Sequence, residues 1–122
     1  MLVPGAANTE LLIVNSDRSD AAVDLTLRGT GGEIEALGSR GIALSANSSR
    51  EVALSVLTDE TGPISVEFRS TRGRVTVIAR TQTPAGLESA TASVPDVEHL
   101  LPGVPAGAEG ATVLLANPGA ER

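Results

Sequence analysis

Apolar and polar residues alternate along much of this chain, and the period of the alternation is two. In AAVDLTLR (Ala21–Arg28), Val23, Leu25 and Leu27 fall on one side and Asp24, Thr26 and Arg28 on the other. REVALSVL (Arg50–Leu57) does the same with Val52, Leu54 and Val56. PISVEFRS (Pro63–Ser70) offers Ile64, Val66 and Phe68, and RVTVIART (Arg74–Thr81) offers Val75, Val77 and Ala79. Successive side chains of a strand point to opposite faces, so these runs predict half-buried antiparallel strands. EIEA and GIAL are shorter candidates between them. Leu11–Val14 is apolar without alternation, which predicts a strand covered on both sides or a buried edge. Helical periodicity is absent apart from a weak trace across Pro84–Ala92.

Turn signals punctuate the runs at short intervals: RGTGG, LGSRG, SANSS, TDETG and STRG. The last, Ser70–Gly73, lies between two strands and predicts a tight hairpin. The expected fold is all-β: an immunoglobulin-like antiparallel β-sandwich of about seven strands, A to G. The Cys and Trp marks of antibody domains are missing, so the likeness is architectural.

After Arg80 the pattern dissolves into TQTPAGLESATASVPD, polar and without sustained alternation. A loop of that length inside a compact domain is unusual, so residues 82–99 are expected to be a linker after a sandwich at 1–81. Beyond it, VLLAN (Val113–Asn117) matches LLIVN (Leu11–Asn15), and LLPGVP (Leu100–Pro105) echoes LVPGAA (Leu2–Ala7). Residues 100–122 are therefore expected to hold an extra C-terminal strand, the first of a following, truncated repeat.

Composition narrows the picture. The chain has 122 residues, enough for one domain burying roughly two-thirds of its unfolded surface. Phe68 is its only aromatic residue, so the core must be filled by branched aliphatics. A net charge of −6 opposes non-specific nucleic-acid binding, which needs a basic footprint. The absence of cysteine excludes disulfides, thiolate metal sites and thiol catalysis. All nine basic residues are Arg, which suggests a GC-rich bacterial genome. No stretch approaches the ~20 apolar residues of a membrane span, and the N-terminus lacks the pattern of a signal peptide.

LLIVNSDRSDAAVDLTLRGTGG, LSANSSREVALS and ISVEFRSTRGRVTV resemble the repeats of large, uncharacterised secreted or envelope proteins of high-GC Gram-positive bacteria. The resemblance covers residues 2–81, with 100–120 as a second start. Ser16 stands where that pattern has Pro, while Pro118 keeps it, and SANSS departs from the usual Gly-containing turn. The resemblance implies export to the envelope or exterior and a structural or adhesive part. It carries no catalytic residues over.

Candidate chemistry is sparse. His99 is the only histidine, so a multi-histidine metal centre is excluded. LGSRG has Leu37 where a nucleophile elbow needs Gly, and RGTGG has no helix behind it to hold a phosphate. No catalytic residue, cofactor or metal is expected. Sugar binding usually stacks on Trp or Tyr, and neither is present.

Charge offers more. In immunoglobulin-like strand order, loops AB, CD and EF share one end and BC, DE and FG the other. Asp17, Asp20, Asp59 and Glu60 should gather at the first end. Arg28, Arg50, Arg69, Arg72 and Arg74 should gather at the second. Such ends would complement each other between neighbouring repeats, with Arg40 breaking the separation. Alternatively the four acids form a calcium site, or the Arg-rich hairpin (Arg69, Arg72, Arg74) binds an anionic cell-wall polymer or glycan. The strand at 112–117 carries apolar side chains and unpaired backbone groups; it is expected to add to an edge of its own sandwich or to pair with a neighbouring repeat or a second molecule, the alternative being that it frays. The expected function is that of a non-catalytic structural or interaction module in a larger exported bacterial protein.

Overall fold

The alternating runs fold into two antiparallel sheets. The computed structural model describes residues 1–102, 106–107 and 109–119. Its elements are β1 (Leu2–Val3), β2 (Thr9–Asn15), β3 (Ala21–Gly29), β4 (Gly32–Ile34), β5 (Ile42–Leu44), β6 (Ser48–Ala53), α1 (Leu54–Leu57), β7 (Ile64–Arg72), β8 (Thr76–Thr83) and β9 (Gly86–Thr91). One sheet runs β1-β7-β3-β4, with β5 also on β3; the other runs β6-β2-β8-β9. Each strand turns its apolar phase inward. Val23, Leu25 and Leu27 of β3 and Ile64 and Val66 of β7 meet Leu11 and Ile13 of β2 and Val77 and Ala79 of β8. None of these nine is more than 2% exposed. Burying each of the larger aliphatics contributes roughly 1.5–3 kcal/mol. The result is a β-sandwich with an aliphatic core, and Phe68 packs half-buried at its margin.

β2 is flanked by β6 and β8, which explains its unbroken apolar run. Leu11 and Ile13 are sealed in the core. Leu12 and Val14, with Ile78 across the ladder, form a half-buried strip on the outer face. The strand is thus fully covered on one face only. The equivalent face of the other sheet is polar, with Asp24, Thr26 and Arg28 beside Arg69, Glu67 and Ser65.

Among the described residues four polar side chains are buried, Thr9, Asn15, Ser39 and Thr81, and each is hydrogen-bonded, Ser39 through its hydroxyl to Ala36 O at 2.8 Å. Thr9 and Thr81 face each other through their hydroxyls at 2.9 Å. Asn15 closes β2 and is buried. Its Nδ2 donates to the carbonyls of Ser19 (2.9 Å) and Ser45 (3.1 Å), and its Oδ1 accepts the Asp17 N–H at 3.1 Å. One side chain therefore ties the loop after β2 to the loop after β5.

Several expectations are corrected. EIEA and GIAL do not form two antiparallel neighbours. β4 and β5 both pair antiparallel with β3, at Leu27–Gly29 and Ala21–Val23, so they are two pieces of one interrupted edge strand. The gap is clasped by Leu25 N–H donating to Ser39 O (2.7 Å) and Gly41 N–H donating to Asp24 Oδ1 (2.7 Å). The REVALSVL run leaves its sheet at Ala53 and turns through α1. Leu54 and Leu57, three apart, reach the core, and Val56 is 80% exposed. Ser70–Gly73 makes no hairpin, because β7 pairs with β1 and β3 whereas β8 belongs to the other sheet. It is a corner between sheets. Gly73 turns it at φ 69°, with Asp20 O and Ala21 Cβ only 3.1 Å from where a Cβ would stand.

The C-terminal third also differs. The stretch expected to be a linker from residue 82 contains the end of β8 and all of β9. Thr83-Pro84-Ala85-Gly86 turns the chain, and β9 pairs with β8 from Thr83↔Gly86 to Ile78↔Thr91. Residues 112–117 are paired in neither sheet.

Candidate functional site

Counting β4 and β5 as one interrupted strand shifts every later loop to the opposite end of the sandwich. Loops 16–20, 45–47 and 73–75 therefore share one end, and loops 4–8, 30–31, 54–63 and 84–85 share the other. The expected separation of charge is lost. Asp17 and Asp20 lie at the same end as Arg72 and Arg74, and Asp59 and Glu60 lie at the other. Arg74 bonds Asp17 itself, with Nε and Nη2 each 3.3 Å from a carboxylate oxygen. The four acids cannot converge on a calcium ion from opposite ends. Among the described residues no group of three or more His, Cys, Asp or Glu is placed to hold a metal ion.

The acids singled out in the sequence act locally. Asp20 Oδ1 accepts the Ala46 N–H at 3.1 Å, which fastens loop 16–20 to loop 45–47. Glu60 lies over Gly29, where its Cδ would stand 3.1 Å from any Cβ. Asp59 is exposed. Arg69 and Arg72 are exposed too, with no carboxylate within ion-pair distance among the described residues. Arg69 sits on β7 opposite Asp24, which Arg40 engages at 3.8 Å, and Arg72 ends the strand.

Arg80 was not legible as special in the sequence. It projects from the outer face of the β2 sheet between Glu10 (3.4 Å) and Glu51 (2.8 Å). Its Nε is closed off without a partner. An alternation-based reading places Arg80 correctly on the outward phase, but the two glutamates come from strands distant in sequence.

The feature that stands out lies in the C-terminal third. Leu87, Val94, Val97, Leu100, Leu101, Val113 and Leu115 are all largely exposed, whereas residues 1–86 expose only two large aliphatics, Leu37 and Val56. The sandwich is open on this side. β1 is the rim of one sheet and β9 the rim of the other. Between them runs a groove of about 550 Å³, lined by Leu2, Val3, Pro4 and Pro63 on one side and Glu88, Ser89 and Ala90 on the other. Thr112 and Leu114 of the same chain also line it. Leu114 is half-buried there, while its neighbours Val113 and Leu115 are 55% and 81% exposed. The likeness between 113–117 and 11–15 extends to local hydrogen bonding. Asn117 Oδ1 accepts the Gly119 N–H at 2.9 Å, as Asn15 Oδ1 accepts that of Asp17.

Two antiparallel sheets packed through aliphatic side chains, with loops that serve structure, define a β-sandwich domain. The chain belongs to the family described as "Family of unknown function (DUF5719)", with a match over residues 5–122 that includes both the sandwich and the C-terminal third. No curated protein and no solved structure matches it.

Proposed function

We propose that the protein is a non-catalytic structural or interaction module of a larger exported bacterial protein. The observation that carries this is the crowd of exposed aliphatics between Leu87 and Leu115, beside an open groove. A concentration of exposed aliphatics along one stretch of chain supports a face that a partner covers. The partner is a neighbouring copy, engaged through residues 112–117. The resemblance to envelope-protein repeats supports an extracellular or envelope location. Protease treatment of intact cells making the parent protein tests it: cleavage within this domain is expected, and protection until lysis would refute export.

A second reading rests on Arg69 and Arg72, the exposed arginines near the corner between sheets, as contacts for an anionic wall polymer or glycan. The corner replaces the hairpin first expected there, and Arg74 is committed to Asp17. Retention on a polyanionic column, lost on Arg69→Glu with Arg72→Glu and at raised salt, would favour it.

A further inference from the structure

We infer that the seam between β1 and β9 is the acceptor for the 112–117 segment of a second copy of this chain, with Leu114 as the side chain that fills it. The inference rests on the interaction-module reading above and names the seat of the partner.

The groove already shows what it accepts. Thr112 and Leu114 of its own chain border it together with Leu2, Pro4, Pro63 and Ala90, and Leu114 alone of the apolar run is half-buried. The intramolecular fit is incomplete, however. Residues 112–117 join no ladder, and Val113 and Leu115 stay in solvent.

β9 offers what that segment lacks. In an antiparallel ladder, alternate residues of a rim strand direct N–H and C=O away from the sheet. β9 presents such a rim over six residues, with Glu88 as its sole charge and no proline or bulge. The rims of the facing β3 sheet are blunted by shortness, two residues in β1 and three each in β4 and β5, and β6, the far rim of the β2 sheet, carries both Arg50 and Glu51. Short, charged or bulged edges resist strand addition, and β9 has only the one charge of Glu88 to set against it.

The tether permits exchange. The described residues between 92 and 111 belong to no helix or strand, so no sheet or helix pairing along them has to break for the segment to reach another copy. Exchange of an identical element between two copies closes as a two-fold pair. Intramolecular seating competes at an effective concentration of order millimolar, so the exchanged form is expected to populate as the chain concentration approaches that value.

The absence of native cysteine allows a clean test. Full-length chains carrying only Ala90→Cys are mixed with chains carrying only Leu114→Cys at concentrations where sedimentation detects dimer, then oxidised. A disulfide-linked heterodimer is expected. A mixture of Ser49→Cys, on the far rim strand β6, with Leu114→Cys should give none above background. Leu114→Asp should weaken self-association about tenfold or more, since an aliphatic seat is lost. A dimer in which the Ala90–Leu114 pair never crosslinks, or which Leu114→Asp leaves unchanged, overturns the seam but leaves association through another face standing. A chain that stays monomeric to about 1 mM overturns the exchange outright, while the protease test of export is unaffected.

Discussion

Asn15 and Ser45, thirty residues apart, are joined by a 3.1 Å hydrogen bond from the Asn15 amide to the Ser45 carbonyl. The same amide holds Ser19 O, and the side-chain oxygen holds the Asp17 N–H. Replacing Asn15 with Ala removes all of these and takes the donor from the part-buried carbonyls of Ser19 and Ser45. We expect a loss of about 2–3 kcal/mol, read as a lower urea midpoint at unchanged slope. Asn15→Asp sets a carboxylate among carbonyl oxygens, so its deficit should be larger at neutral pH and shrink as the pH falls.

The hydroxyl pair of Thr9 and Thr81 predicts a signed coupling. Thr9→Val alone leaves the Thr81 hydroxyl buried and unpaired, at a cost of about 1–3 kcal/mol. The double Val variant removes both polar groups and should be less destabilised than either single. A double-mutant cycle checks this, and additive losses would contradict it.

Gly73 turns the corner between sheets in the left-handed region, against Asp20 O and Ala21. Gly73→Ala meets backbone strain and contact together. We expect a destabilisation of about 2 kcal/mol by denaturant titration. Gly38 also has positive φ but open space around it, so Gly38→Ala should cost less, about 1 kcal/mol.

Arg74 bridges Asp17 but is 87% exposed in its side chain. Arg74→Ala should change stability by no more than about 0.5 kcal/mol, and less at high salt. A larger change would mean that the corner depends on this ion pair.

The free amine of Met1 donates to Val66 O at 2.9 Å, at the margin of the core. Burial pulls its pKa below its ordinary value of 8.0, partly opposed by the Glu67 carboxylate. The folded state therefore favours the neutral amine, and the unfolded chain binds more protons between the two values. Stability should rise with pH across that window and level off above about 8. Nα-acetylation should flatten this rise in thermal melts taken between pH 6 and 9.

Much of the sandwich was legible because its central strands bury one face. The period-two runs of β3, β7 and β8 put the correct residues inside. The failures share a cause, which is that periodicity reports burial and not partner. LSVL satisfies both a two-residue and a three-residue spacing, and only packing selects Leu54 and Leu57 over Val56. STRG announces a turn in either case, and nothing local says that β8 joins the other sheet. β9 is a rim strand with exposed side chains on both faces, so GLESAT carries no alternation at all; the two-residue turn Pro84-Ala85 was its one signal. Reading EIEA and GIAL as separate antiparallel strands then misplaced every later loop, and with them the charged ends.

The interruption between β4 and β5 has a consequence for how such domains vary. The chain leaves β3 near Ile34 and rejoins the same lane at Ile42, anchored by contacts at Ser39 and Gly41. Residues inserted beside the fully solvated Leu37 would leave every ladder intact and would open only the turn in which the Ser39 hydroxyl and N–H donate to Ala36 O. Their cost would grow only with the logarithm of added length. The fold thus holds a slot where relatives can differ in size, and a loop grafted there would be displayed at the flank opposite the open seam.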